Sequence, residues 1–282
     1  MLDLQVIGRN FQDLSNITPI AQGGQKTVYH ATHGIYGNVV LKIILNPDQR
    51  RQREIDTVTQ CNFTHVPKLY ESRTMSYGPW HAMCLIEQFI PGETLRQRLM
   101  RERKLDTTTA IHLLRDLLNT TVQLEQHRLV HRDIKPENII LGHNGTSWLL
   151  DFGIVRDLSM DSLTATNAQF GPLTLGYAAP EQIRNRKREI DSRADLFSIG
   201  VVTYEALSGG HPFKSGARDD LDVLFRTETF NPKPVKVVGD SQKLLSGFIN
   251  TLIDKHISRR PKTAEQALKW FLALLPTVKH NI

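Results

Sequence analysis

"HRDIKPEN" (residues 131–138), running into "IILGHNGTSWLLDFG" (139–153), is the stretch from which the rest of this chain can be read. Asp133 and Asn138 stand five positions apart on a tight loop, between a long helical segment and the apolar, strand-like "IIL". That spacing suits one carboxylate facing a substrate hydroxyl and one amide oxygen facing a metal ion. Thirteen residues past Asn138, Asp151 opens "DFG" at the end of a second strand. Mg²⁺ takes oxygen ligands in an octahedron and keeps some of its waters, so an amide, a carboxylate and phosphate oxygens make a natural set. Either motif alone reads as a polar turn. The two in this order point to phosphate chemistry.

Composition narrows the class. The chain has 282 residues, 40% of them hydrophobic and 23% charged, enough for one large globular domain or two joined lobes. No run approaches the roughly 18 apolar residues that span a bilayer, and "MLDLQVIGRN" lacks the basic-then-apolar order of a signal peptide. A soluble, cytoplasmic chain with no membrane partner is expected. Cys61 and Cys84 fit neither a disulfide framework nor a zinc site and read as small buried residues. The formal charge of +6 would suit nucleic acid, yet the basic residues are dispersed and the densest run is "RNRKRE" (184–189). No nucleic-acid partner is expected; a nucleoside triphosphate uses a positive balance equally well.

The N-terminal third has the texture of strands: "TVYHATHG" (27–34), "NVVLKIIL" (38–45), "KLYESRTM" (68–75) and "HAMCLIEQF" (81–89) are β-branched or aromatic and separated by turn residues. One helix interrupts them, capped by Asp48 and running through "QRRQREIDTVTQ" with Glu54 and Val58 on one face. After "IPGE" (90–93) helical periodicity takes over, at 107–128, 194–208, 241–255 and from Thr263 onward. The expected class is α+β: a small β-rich lobe with one main helix, and a larger, mostly helical lobe. "AQGGQKTV" (21–28) approaches the phosphate-cradling G-x-G-x-x-G-x-V pattern, with Ala21 and Lys26 where glycines would stand. Alone it reads as an ordinary β-turn.

Together these motifs resemble the protein kinase superfamily, over roughly residues 11–275, and in particular its bacterial Ser/Thr branch. "VVLK" (39–42) resembles the strand motif that carries the phosphate-binding lysine. "AAPE" (178–181) resembles the end of the activation segment, and "SRADLFSIGVV" (192–202) the buried helix whose aspartate, Asp195, braces the catalytic loop. "SRRP" (258–261) supplies Arg260 where the family pairs an arginine with the glutamate of "APE", Glu181. In that frame Val28 lies 14 residues before Lys42, where the phosphate-covering loop belongs. The resemblance implies a two-lobed fold: an N-terminal extension at 1–10, then a kinase domain over 11–282, with its small lobe to about 86, a hinge at about 87–92 and the large lobe beyond. A free-standing catalytic domain is expected.

The resemblance also implies the chemistry: an ATP- and Mg²⁺-dependent (or Mn²⁺-dependent) serine/threonine protein kinase. Asp133 would take or orient the hydroxyl proton, Lys135 would neutralise charge on the transferring group, and Thr174 would shape the site for Ser/Thr acceptors. Lys42, held by Glu54, would bind the α- and β-phosphates, and Asn138 and Asp151 would hold the metal. Ala21, Gly23 and Gly24 would line the phosphate loop. Val28, Val40 and Ile140 would sandwich the adenine, backbone groups of Glu87 and Phe89 would read its edge, Ile86 would guard the back pocket, and Glu93 would reach the ribose. His131 would be structural, stacked with Phe152, Val58 and Leu69. Protein substrates, a transient homodimer and autophosphorylation at Thr164 or Thr166, with Arg132 as the phosphate's partner, complete the expectation. The altered glycine loop keeps open a pseudokinase that binds nucleotide without transferring phosphate. A small-molecule phosphotransferase stands behind both.

Overall fold

The computed structural model describes residues 3–22, 26–45, 61–77, 80–151, 156–157, 174–186 and 188–279. The chain forms two compact units, Met1–Asn62 with Val66–Pro91, and Phe63–His65 with Gly92–Ile282. The helix expected from Asp48, with Glu54 and Val58, lies outside the described residues, as do Gly23, Gly24, Phe152, Thr164 and Thr166.

The first unit is an antiparallel sheet of five strands, β1 (Leu14–Gln22), β2 (Lys26–His33), β3 (Gly37–Leu45), β4 (Leu69–Tyr77) and β5 (Trp80–Gln88), in the order β1-β2-β3-β5-β4. Its two faces follow from the period of two along each strand. Tyr29, Leu41, Ile43, Cys84 and Ile86 share one face and form a core with Ile7 and Phe11. Registers Val28↔Lys42↔Leu85 and His30↔Val40↔Glu87 define the other. Residues 1–10, expected as an extension, include a helix, α1 (Leu4–Asn10), that is part of this unit: its Ile7 is fully buried. β1 is absent from the expected strands because its sequence hides it; register shifts flank Thr18–Pro19, and most of its residues are exposed. Arg73, on the other edge strand β4, reaches the residue before β1, forking onto Asp13 at 2.5 and 3.0 Å while its Nε donates to Glu71 at 2.7 Å.

In the second unit β6 (Gly92–Thr94), β8 (Ile139–Gly142) and β9 (Ser147–Leu149) form a small sheet. The two-residue strands β7 (Leu129–Val130) and β10 (Arg156–Asp157) pair separately. Gly92 has φ +155°, and a Cβ there would come within 2.3 Å of the Leu141 carbonyl, so only glycine lets β6 lie against β8. The helices are α2 (Leu95–Glu102), α3 (Thr107–Gln126), α4 (Pro180–Ile183), α5 (Ser192–Ser208), α6 (Asp220–Thr229), α7 (Leu244–Leu252) and α8 (Ala264–Leu274). α5 is apolar on nearly every side, with Leu196, Phe197, Ile199, Val201 and Val202 fully buried, as befits a central helix. Gly200 lets α7 approach it: a Cβ would stand 2.7 Å from Leu252 and Ile253 side-chain atoms. α7 starts later than the periodicity suggests because Asp240 accepts from the N–H groups of Leu244 and Ser246 and fixes the first turn. No helix among the described residues is long and apolar enough to cross a membrane. Cys61 is half-buried and Cys84 buried, and neither is in a disulfide.

Candidate active site

The loop from His131 to Asn138 is built from below by Asp195. That carboxylate, in the first turn of α5, is fully buried and accepts from the backbone N–H groups of His131 and Arg132, both at 2.8 Å. Burial pushes its pKa up, against the two backbone hydrogen bonds. The bonds hold Arg132 at φ +70°, a strained conformation for a non-glycine residue that turns the chain before Asp133. His131 is also fully buried. Its Nδ1 accepts from the Asp133 N–H at 3.3 Å, so Nε2 carries the proton and donates to the Leu150 carbonyl at 2.9 Å. His131 therefore links the loop to the residue before Asp151; the stack expected with Phe152 and Val58 lies outside the described residues.

Above this base four side chains converge. Thr174 Oγ1 lies 2.7 Å from Asp133 Oδ1 and 2.8 Å from Lys135 Nζ, and that ammonium is 2.7 Å from Asp133 Oδ2. Asn138 Nδ2 donates to the Asp133 carbonyl and to Oδ2, each at 2.9 Å. With its nitrogen committed, the amide oxygen is the end left for a metal. The Leu150 N–H donates to the Asn138 carbonyl at 2.8 Å, tying Asn138 to the residue next to Asp151, whose φ is +70°. An amide oxygen and a carboxylate anchored to adjacent backbone suit a hard cation such as Mg²⁺.

The segment carrying Thr174 is pinned just as firmly. Tyr177 is buried, its carbonyl accepts from Ser198 at 2.8 Å, and its hydroxyl contacts Glu205 and receives Arg96 at 2.5 Å. Burial first, then Glu205, pushes the phenol's pKa up. Arg96 also pairs with Glu205 at 2.9 Å and with Glu137 of the 131–138 loop at 2.8 Å. Gln182 joins the two segments, accepting from the Ala179 N–H at 3.0 Å and donating to the Arg132 carbonyl at 2.9 Å. Arg260 forks onto Glu181 at 2.7 and 3.1 Å, both side chains buried, as the motif reading expects.

In the first unit, Lys42 and Val28 are direct partners across β2 and β3, and Val40 lies on the same face. Ala21, opposite Val28 on β1, is exposed. Ile86 is fully buried with Leu41, Cys84 and Ile7, on the sheet face opposite Lys42. The neighbouring Glu87 lies on the same face as Lys42 and Val40. Glu87 remains within β5, paired with Val40 on one side and Leu69 on the other, and its carboxylate lies 2.6 Å from Lys42 Nζ. Sequence reasoning assigned Glu87 a backbone role and missed this side chain, because the pairing of Lys42 with Leu85, from which the alternation is counted, is not readable in the sequence. Phe89 packs edge-on against His30, with ring centroids 4.8 Å apart. In the second unit Ile140 is half-buried in β8. The Glu93 carboxylate is held by Arg101, at 2.5 and 2.8 Å, and by Arg98 at 3.1 Å; Arg101, the stronger influence, lowers its pKa.

A five-stranded antiparallel sheet in one unit and an Asp-Lys-Asn-Thr cluster braced by a buried helix in the other define a protein kinase domain, the α+β two-lobed fold. Residues 14–271 match the family described as "Protein kinase domain", and the chain belongs to that family. It is 30% identical over 275 residues to the probable serine/threonine-protein kinase PknB of Lactococcus lactis subsp. lactis, covering 93% of this chain and 42% of that protein. It is 34% identical over 202 residues to the serine/threonine-protein kinase PknL of Mycobacterium tuberculosis, covering 69% and 49% respectively. With PknA of Corynebacterium glutamicum the identity is 26% over 235 residues, covering 80% and 49%. The chain thus spans about half or less of the length of these curated relatives.

Proposed function

We propose that this chain is a serine/threonine protein kinase, transferring the γ-phosphoryl group of ATP to Ser or Thr hydroxyls of proteins. The observation that carries the proposal is the hydrogen-bonded cluster of Asp133, Lys135, Asn138 and Thr174. Among the described residues Asp133 Oδ1 has Thr174 as its hydrogen-bond partner, which leaves it a lone pair for a substrate hydroxyl proton. Lys135, already against Asp133, brings a positive charge to the place where the phosphoryl group would pass. For the nucleotide, the first unit offers Lys42 with Val28 and Val40 on its face, and the second offers Asn138, Asp151 and Ile140. Asn138 and Asp151 would hold Mg²⁺, which when bound neutralises phosphate charge. Glu54, Gly23, Gly24, Ala21, Phe89 and Glu93 complete the proposed set of nucleotide contacts.

Phosphate transfer of this kind belongs to the cytoplasm, where ATP is supplied, and to signalling. Autophosphorylation at Thr164 or Thr166, within a transient homodimer, is part of the same proposal. Incubating the protein with γ-labelled ATP, Mg²⁺ and a generic basic acceptor protein, followed by phosphoamino-acid analysis, tests it. Label on phosphoserine or phosphothreonine is expected. ATP binding without any transfer would favour the pseudokinase reading instead.

A further inference from the structure

Lys42 and Glu87 form a nearly dry ion pair on neighbouring strands. Their side chains are 8% and 15% exposed, and the charged atoms are 2.6 Å apart. Lys42 is opposite Leu85 and Glu87 is opposite Val40, so the two are diagonal neighbours across β3 and β5, a separation that long side chains readily bridge. Glu87 is itself carried on backbone paired on both sides, with Val40 and Leu69. Its carboxylate is therefore anchored to the same rigid sheet as the lysine. An ammonium has three N–H donors, and the short contact directs one of them at Glu87. Removing the Glu87 carboxylate takes away one of the contacts that fix where the buried ammonium sits.

We propose that Glu87 is a positioning residue for Lys42, holding the ammonium on the nucleotide-facing side of the sheet through a contact built entirely into the strands. The assignment rests on the reading of Lys42 as the phosphate-binding lysine. It adds to that reading a carboxylate from β5, separate from any partner on the helix expected at 48–60. Because Glu87 acts through Lys42, its removal matters only while Lys42 is present. Glu87 also brings a negative charge to this face, and tighter nucleotide binding without it would decide against the proposal.

The test is a double-mutant cycle read as Kd for Mg·ATP by calorimetric titration, and as kcat/KM for ATP where turnover allows. It uses Glu87→Gln, Glu87→Leu, Lys42→Met and Lys42→Met/Glu87→Leu, with melting temperatures to confirm folding. Glu87→Gln keeps the shape of the side chain, so it remains informative if Glu87→Leu fails to fold. Glu87→Leu is expected to weaken ATP binding about tenfold and Glu87→Gln by less, with KM for the protein acceptor within twofold of wild type. On the Lys42→Met background the Glu87 change is expected to have no further effect. ATP affinity unchanged or improved in folded Glu87→Gln and Glu87→Leu would overturn the proposal, as would an equal loss on both backgrounds. If Lys42→Met itself binds ATP and transfers phosphate like wild type, the reading of Lys42 fails first and the role of Glu87 falls with it.

Discussion

Thr174 carries a single hydroxyl proton, and its two neighbours leave that proton one place to go. The Lys135 ammonium has only protons to give, so the threonine oxygen accepts from it and donates to Asp133. The hydroxyl thus fixes the rotation of the Asp133 carboxylate. Thr174→Val, similar in shape and without the hydroxyl, is expected to lower kcat by about 10² with little change in melting temperature. Thr174→Ser should restore most of the rate; equal activity in Thr174→Val and wild type would remove Thr174 from the mechanism. Asp195 has a different task at the same scale. Both of its oxygens face N–H donors, so Asp195→Asn turns an amide N–H₂ toward one of them deep in the core. A loss of about 1–3 kcal/mol in stability is expected from urea denaturation, with a drop in kcat as the Arg132 turn relaxes.

Elements are held together by a few buried polar ties, of which Glu181–Arg260 is the clearest. It joins α4 to the loop before α8, and Arg260 also donates to the carbonyls of Arg193 and Asp254. Arg260→Ala strands a buried carboxylate and is expected to cost about 3–5 kcal/mol by urea denaturation, whereas Glu181→Gln/Arg260→Met should cost less than Arg260→Ala alone. This tie was legible in the sequence because both partners sit in recognisable motifs, as were Asp133, Lys135 and Asn138, which lie on one short loop. The long helices were legible too: α3 and α5 carry strong apolar signatures, and α5 opens on the Asp191 cap and closes at Gly209 with φ +73°. β1 was hidden by irregular pairing at an exposed edge. The side-chain contact of Glu87 with Lys42 was not legible for a sharper reason: a shift of one residue along a strand exchanges its two sides, and only the register with β3 fixes which is which.

At the scale of the whole molecule, stability responds to pH through His211. Its Nδ1 accepts from the N–H groups of Phe213 and Lys214, and burial, aided by Lys214 and Arg96, pulls its pKa from 6.5 to about 3. The unfolded chain therefore binds the extra proton between those values, so this contribution is fully present above pH 6.5 and declines as the pH falls. Urea midpoints are expected to drop by the equivalent of about 1–2 kcal/mol between pH 6.5 and pH 5, and the drop should shrink in His211→Asn, which retains an acceptor. A pH profile identical in the two proteins would contradict this. The catalytic reading stands or falls on Asp133, whose carboxylate is set by Thr174, Lys135 and Asn138 together. Its direct test compares initial rates of γ-phosphoryl transfer from Mg·ATP to a protein acceptor for wild type and Asp133→Asn, with folding of both confirmed by melting. Wild type is expected to transfer phosphate, and Asp133→Asn to be slower by about 10²–10⁴ at unchanged fold; equal rates in the two proteins, or no transfer by wild type, would contradict it.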